Sequence, residues 1–356
     1  MRLVLSSAAR AETSRIVGID AARAFATLGI VLVHVCEFQG LGHQASAVGR
    51  FGTAYYIFVA IYLCAIEANR AEPRGFFDDA ERRARRVLRP FVVWSIIYAA
   101  LALVHAFRRG SVTTDIARWW GPLAGTALHL WFLPFAFAVT LIVRPLLRPL
   151  MVLPLRYVVA SWAAVVCFAY PFSFLWAIPG LDRRWLLDWH LHRFDRWLEE
   201  VPFVLACVGV VVLWFRRDQW LPRGVSKRLC RFSPWLLALA FLGTEWRYVL
   251  SVETLRASGL GEGRPLAHLA GLVLALLALR LPRSRRLAVP AVLGRHTYFV
   301  FLCHVALLDL AGGFWWRLPG YGSLLFAWLS GVAVFAVGVS AGALLSRAPA
   351  VARWFS

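Results

Sequence analysis

The first long apolar stretch of the chain carries residues that can do chemistry. It runs from Ile16 to Phe38 and contains Arg23, His34 and Glu37. Arg23 and His34 lie eleven positions apart. On an α-helix this spacing leaves them within about 20° of one face and roughly 16 Å apart along the axis. Ionisable groups at membrane depth are costly unless they face a partner or a water-filled cavity, so this face predicts a functional site.

The spacing of His34 and Glu37 favours a general base. Glu37 follows His34 by three positions, which is within side-chain reach on a helix. A carboxylate that accepts a hydrogen bond from one imidazole nitrogen fixes the tautomer and leaves the other nitrogen free as a base. We therefore predict that His34, Arg23 and Glu37 are catalytic. The alternative is that His34 is a buried, hydrogen-bonded packing residue.

A second candidate site is the arginine cluster in the segment ERRARRVLRPFVVWS. Four of its arginines follow the i, i+3, i+4, i+7 pattern of one helical face. Arginine is always charged and binds phosphate through two parallel hydrogen bonds. The cluster predicts a binding site for an anionic cofactor such as coenzyme A, or alternatively a topology signal that contacts anionic lipid headgroups. Its residues are Arg82, Arg83, Arg85, Arg86 and Arg89.

Composition identifies the class of protein that must position these residues. The 356-residue chain is 60% hydrophobic and 16% charged, and it has 17 Trp, values typical of a membrane protein rather than a soluble domain. The net charge of +20 is interpreted as membrane topology, not as nucleic-acid binding. The six cysteines show no spacing of a disulfide framework or a zinc site, and no metal is expected.

Apolar stretches of near-spanning length predict an all-α, polytopic membrane protein with about ten transmembrane helices. Most Lys and Arg residues fall in alternate loops, which places both termini in the cytoplasm. Residues 1–15 are then a cytoplasmic segment, 16–346 a single transmembrane domain and 347–356 a cytoplasmic tail. Residues 181–200 have the pattern of an amphipathic helix in the outer interface. The predicted spans are 16–38, 51–69, 87–106, 127–147, 156–178, 201–216, 233–251, 266–281, 290–311 and 321–346.

With this topology three helices each place a histidine in the outer half of the bilayer, namely His34, His129 and His304. This distribution predicts a shared polar cavity for an acceptor molecule. The alternatives are an interfacial anchor for His129 and a packed core residue for His304. Other histidines, among them His105 and His268, look peripheral. The residues that we predict to bind the acceptor are Asp20, His129, Trp131, Glu245 and His304.

Four motifs follow one another along the chain, namely IDAARAFATLGIVLVH, RRARRVLRPFVVW, HLWFL and LGRHTYFVFLCH. In this order they resemble the motifs of acyltransferase family 3, membrane-bound O-acyltransferases that modify bacterial surface glycans. Family members commonly have an aromatic pair followed shortly by Ser-Gly in the second helix. Here Tyr55 and Tyr56 are followed by Val59 and Ala60, which places the chain in a divergent branch.

The resemblance implies a donor and an acceptor on opposite sides of the bacterial inner membrane. The donor is cytoplasmic acyl-CoA, commonly acetyl-CoA, and the acceptor is a hydroxyl of an extracytoplasmic polysaccharide or glycolipid. His34 corresponds to the catalytic residue of the Arg-and-His motif, and the arginine cluster corresponds to the donor site. The implied partners are the lipid bilayer, the glycan and other proteins of polysaccharide biosynthesis, with no nucleic acid.

The residues alone leave other functions open. A transporter or flippase of lipid-linked sugars would also use charged groups inside the membrane, although helices interrupted by Gly or Pro in related halves, its usual sign, are not found. A glycan polymerase or ligase would usually have a long outer loop. A non-catalytic relative would keep the fold without the activity.

Overall fold

The computed structural model describes residues 16–41, 49–70, 75–109, 127–169, 195–220, 265–281 and 287–355, and these ranges form helices and short connections without a strand. A π-helical segment, Val165–Ala169, continues α5, and 3-10 turns cover Leu128–Trp131 and Arg217–Gln219. The α-helices are α1 (Val17–Phe38), α2 (Phe51–Ala68), α3 (Phe76–Arg109), α4 (Phe132–Val152), α5 (Leu155–Ala164), α6 (Asp195–Phe215), α7 (Pro265–Ala278), α8 (Ala288–Gly294), α9 (Thr297–Trp315), α10 (Leu324–Leu345) and α11 (Pro349–Phe355).

Within the described ranges, six helical segments are long and apolar enough to cross a membrane, which confirms the all-α membrane class. Each predicted span except 233–251 contains a described helix, and 233–251 lies outside the described residues. The count of ten and the cytoplasmic termini therefore stay predictions. The six segments are Val17–Phe38, Phe51–Ala68, Phe76–Phe107, His129–Val152, Thr297–Trp315 and Leu324–Leu345, and shorter apolar helices cover Leu155–Ala169, Glu200–Phe215 and Ala267–Ala278.

The helix that contains the arginine cluster is longer than the span predicted at 87–106. It begins at Phe76, so that the arginines belong to the spanning helix itself and not to the loop before it. Two acidic residues in its first turn, Asp78 and Asp79, favour a helix start because they face the positive end of the helix dipole. Asp79 also pairs with Arg83 one turn later, which stabilises this polar extension.

The predicted span 290–311 is divided into two helices. α8 ends at Gly294, and α9 begins at Thr297, whose hydroxyl donates to the Gly294 carbonyl at 2.8 Å. Gly294 packs directly on the α1 backbone, where an added Cβ would overlap the carbonyl oxygen of Asp20. Small residues permit such close helix contacts in membranes, and this contact holds α8 against the part of α1 that carries Arg23.

Gly294→Ala is expected to destabilise the protein by about 1–3 kcal/mol, because the added methyl group must displace the α1 backbone. The measurement is the thermal unfolding midpoint in detergent micelles. Gly313→Ala is the matched control, since nothing lies within 4 Å of a Cβ at this helical position and alanine is the better helix former. Equal midpoints for the two variants would contradict the close contact.

The two most central helices are α1 and α2. α1 contacts α2, α7, α8, α9 and α10, while α2 also contacts α4, α6 and α7. α3 packs on α4 and α9. It also contacts α11, which lies in the segment 347–356 that the sequence predicts as a tail. Large apolar side chains cover the outer faces of α3, α9 and α10, as a lipid-facing surface requires; examples are Ile96, Leu103, Phe107, Leu310, Leu325 and Leu329.

Candidate active site

The structure brings the three predicted histidines together. His34 lies on α1, His129 on the 3-10 turn before α4, and His304 on α9. Their ring centroids are 6.1 Å apart for His34 and His129, 5.1 Å for His34 and His304, and 4.8 Å for His129 and His304. This group is called the histidine cluster below. It places three imidazoles from distant parts of the chain inside one helical bundle.

His34 and Glu37 form the pair that their spacing predicts. Nδ1 of His34 lies 3.2 Å from Oε2 of Glu37, and the side chains are 20% and 41% exposed. A proton on Nδ1 that is donated to the carboxylate leaves Nε2 unprotonated. Both residues line a cavity of about 160 Å³. The pair therefore offers a base to whatever enters this cavity.

The other two histidines are buried behind His34. Nδ1 of His304 donates to the carbonyl oxygens of Phe301 at 2.8 Å and Val300 at 3.2 Å, which fixes the tautomer and leaves Nε2 as an acceptor. This buried Nε2 has no hydrogen-bond partner among the described residues. His129 is also buried and packs edge-on against Tyr98 at 5.2 Å between centroids. A buried polar atom without a partner is costly, and the ring that carries this one lies within about 5 Å, between centroids, of His34 and His129.

The cavity is lined by polar groups from several helices and by apolar side chains. Trp131, which was predicted to bind the acceptor, lines it together with His129. Three further polar residues of the wall, Arg50, Glu200 and His268, were missed. The sequence interpretation regarded His268 as peripheral, and no local pattern relates it to Glu200. The lining includes Ile30, His34, Glu37, Arg50, Thr53, His129, Trp131, Phe132, Glu200, His268 and Phe301.

Arg23 lies nearer the other end of α1. Its Nη1 atom is 3.1 Å from Oδ1 of Asp20, and Asp20 is buried. Asp20 therefore lies beside Arg23 and is not brought to the cavity that was predicted to contain it. One turn beyond Arg23, the hydroxyls of Thr27 and Tyr56 are hydrogen-bonded. The polar stripe of α1 thus faces α2 and the bundle interior rather than lipid.

Most of the arginine cluster is occupied by internal partners. The buried carboxylate of Asp79 lies 2.8 Å from both Arg82 and Arg144, and it also pairs with Arg83. Exposed Arg85 pairs with Glu81. The guanidinium of Arg89 lies over the Trp354 ring of α11, 4.8 Å from its centroid. These arginines therefore have structural partners before any ligand binds.

Arg86 differs from its neighbours. No carboxylate among the described residues pairs with its guanidinium, which lies within electrostatic range of Arg23, Arg82 and Arg83. Its backbone carbonyl accepts a hydrogen bond from the Tyr298 hydroxyl at 3.4 Å. Neighbouring like charges of this kind attract anions. Arg86 and Arg23 come from different helices, and their guanidinium groups lie close enough to interact electrostatically.

Two sequence features remain, namely the predicted acceptor residue Glu245 and the missing Ser-Gly pair of α2. Glu245 lies outside the described residues. Val59, which stands where family members have the Ser-Gly pair, is buried in the core of the bundle, and the neighbouring Tyr55 hydroxyl donates to the Ile19 carbonyl at 2.7 Å. The departure on α2 is therefore accommodated by ordinary apolar packing.

A helical membrane bundle with a histidine-lined cavity and a nearby basic cluster is consistent with a membrane-embedded transferase. Residues 16–346 match the family described as an acyltransferase domain, acyltransferase family 3. The chain belongs to this family, which confirms the resemblance seen in the sequence motifs, and it is a membrane acyltransferase. No curated protein and no solved structure matches the chain.

Proposed function

We propose that the protein transfers an acyl group from cytoplasmic acyl-CoA to a hydroxyl of an extracytoplasmic polysaccharide or glycolipid. Acetyl is the simplest such group, and the bacterial inner membrane is the proposed location. The observation that carries the proposal is the His34–Glu37 pair at the cavity, on the same helix face as Arg23. Proteins that synthesise or deliver the polysaccharide are the proposed partners.

The donor is proposed to bind at Arg23 and Arg86. Both guanidinium groups can bind phosphate through paired hydrogen bonds, and coenzyme A carries several phosphate charges. The part of coenzyme A that carries the thioester must then reach from Arg23 to His34, roughly 16 Å along the α1 axis. The polar stripe formed by Thr27 and Tyr56 lies along this route, so that the thioester end of the donor arrives beside the cavity.

The chemistry uses His34 as general base. Nε2 takes the proton of the acceptor hydroxyl while that oxygen attacks the thioester carbonyl, forming the new C–O bond. The C–S bond then breaks, and the departing thiolate receives the proton from the His34 imidazolium. Glu37 stabilises this imidazolium through Nδ1–H. General-base catalysis contributes roughly 10²–10⁴ in rate, and positioning of the two substrates supplies much of the rest.

The neighbouring histidines support this step. The His304 ring packs beside the His34 ring, with 5.1 Å between the centroids, and helps to position it. Because Nδ1 of His304 is bound to backbone carbonyls, its ring is held in this orientation.

The test is transfer of label from [¹⁴C]acetyl-CoA to glycan in membranes that contain the protein. We expect label in the glycan that mild alkali releases, as an O-ester requires, and none with membranes that lack the protein. Movement of lipid-linked sugar across the bilayer without label in the glycan would instead indicate a flippase. Unlabelled glycan of increased length would indicate a polymerase or ligase.

A further inference from the structure

Two arginines at the ends of α6 and α7 share one tryptophan ring. The guanidinium of Arg217 lies 5.1 Å from the centroid of the Trp214 ring, and that of Arg280 lies 4.8 Å from the same centroid. Nη1 of Arg217 also donates to the Trp214 carbonyl oxygen at 3.1 Å. All three side chains are half-buried. These three residues are called the Trp214 site below, and none of them lines the cavity of His34.

The positive charge of the Trp214 site is not offset by an acid. The two guanidinium groups lie within electrostatic range of each other, and no carboxylate in the described ranges forms an ion pair with either of them. The face of an indole attracts each cation but has no net charge, so the repulsion between the cations remains. An anion that contacts both guanidinium groups would offset this repulsion, and phosphate suits guanidinium because it accepts paired hydrogen bonds.

The position of the Trp214 site on the helices favours the membrane surface. The apolar segments Glu200–Phe215 and Ala267–Ala278 both end two positions before the arginines. Trp220 is exposed, and its Nε1 atom donates to the Leu213 carbonyl oxygen at 3.0 Å. Tryptophan is enriched where a spanning segment meets the headgroup region, and arginine side chains extend to the same level from helix ends. The phosphate groups of the surrounding phospholipids lie at this level.

A soluble phosphate compound is the competing source of the anion. The Trp214 site lies at the same end of the bundle as the arginine cluster, since two residues of α2 contact both regions. The Tyr62 ring packs on Phe215 with centroids 5.5 Å apart, and Sγ of Cys64 lies 3.1 Å from Nη1 of Arg83. Coenzyme A bound at the arginine cluster is therefore a competitor that the experiment must include.

We propose that the Trp214 site binds the phosphate group of an anionic phospholipid, which Arg217 and Arg280 contact together. Basic pockets between helices at a membrane surface bind such headgroups. The bound lipid links the ends of α6 and α7, whose other ends are joined by Nε2 of His268 and Oε2 of Glu200, 3.1 Å apart. This site is separate from acyl transfer and does not depend on the proposed reaction.

The experiment locates the lipid by photo-crosslinking. The protein is placed in phosphatidylcholine nanodiscs with a trace of phosphatidylglycerol that carries a photoreactive group near its phosphate, and crosslinked peptides are identified by mass spectrometry. We expect crosslinks at the end of α6. Unlabelled phosphatidylglycerol should compete for them, whereas added phosphatidylcholine, inorganic phosphate and acetyl-CoA should not.

Arg280→Gln is expected to lower this crosslinking by about tenfold, the effect of losing hydrogen bonds between charged groups. The variant leaves no described carboxylate without an ion-pair partner, and Arg217→Gln provides a second test. The matched control is Arg317→Gln. Its guanidinium also lies over a tryptophan ring, 5.0 Å from the Trp316 centroid, but at the end of α9. This control should leave crosslinking at α6 unchanged.

Each other outcome overturns the lipid site. Equal crosslinking of the natural protein, Arg280→Gln and Arg217→Gln shows that these arginines do not bind the lipid. A loss that follows only the folded fraction, measured by size-exclusion chromatography, indicates a structural role. Competition by inorganic phosphate or acetyl-CoA assigns the site to a soluble phosphate compound, and an equal loss in Arg317→Gln indicates a general effect of surface charge.

Discussion

Replacing His34 with alanine is expected to lower the rate of acyl transfer by about 10²–10⁴, the range of general-base catalysis. The affinity for acetyl-CoA should stay unchanged, because the donor site that we propose at Arg23 and Arg86 lies at another part of the bundle. Glu37→Gln should lower the rate less, since Nε2 remains while the group that orients Nδ1–H and stabilises the imidazolium becomes neutral. The measurement is single-turnover transfer from labelled acetyl-CoA with both substrates saturating.

The alternative is that His34 has only a packing role. Substitutions at this position distinguish the packing role from general-base catalysis. His34→Asn keeps a polar side chain near Glu37 but removes the titratable group. A packing residue would tolerate this change or lose activity in proportion to folded protein, measured by size-exclusion chromatography. Retained transfer in well-folded His34→Asn or His34→Ala protein would refute the general-base assignment.

Residue spacing along the sequence was sufficient to predict the parts of the site that lie on one helix. The face shared by Arg23 and His34 follows from helical geometry, as does the reach from His34 to Glu37. The pairing of Asp79 with Arg82 and Arg83 is of the same kind, and it could have been inferred from the i+3 and i+4 positions.

The parts that depend on tertiary packing could not be predicted in this way. The histidine cluster combines side chains from three parts of the chain. From the sequence, only the similar depth of the three histidines in the membrane could be inferred. Glu200 and His268 lie where the apolar parts of α6 and α7 start, and a polar residue at such a position ordinarily marks the edge of an apolar segment. Their contact depends on how α6 and α7 pack on α2. α8 ends at Gly294, where the chain packs closely on α1, and such a tertiary contact leaves no periodic signal in the sequence.

The structure also changes which arginine is expected to matter for the donor. From the sequence alone all five arginines are equivalent donor-site candidates, because each guanidinium can bind phosphate. They are Arg82, Arg83, Arg85, Arg86 and Arg89. In the fold, Asp79, Glu81 and Trp354 contact four of them. A ligand phosphate must compete with those contacts, whereas at Arg86 it meets a guanidinium that no described carboxylate pairs with.

Arg86→Ala is therefore expected to weaken acetyl-CoA binding by about 10- to 100-fold, the effect of losing charge-assisted hydrogen bonds to a phosphate. Arg85→Ala, one position earlier, is the matched control. Its guanidinium is 66% exposed and pairs with Glu81, so its removal should change the affinity by no more than about twofold, as for a surface ion pair. Equilibrium binding of labelled acetyl-CoA in nanodiscs of neutral lipid measures both.

The comparison also tests whether the cluster only contacts lipid headgroups. In that case Arg86→Ala and Arg85→Ala would bind acetyl-CoA equally well, and binding would change only when anionic lipid is added. Arg23 is a less decisive site for this test, because Arg23→Ala leaves the Asp20 carboxylate buried without its guanidinium, which is strongly destabilising. A selective loss in Arg86→Ala, with normal folding and normal sugar binding, requires a donor site that includes Arg86.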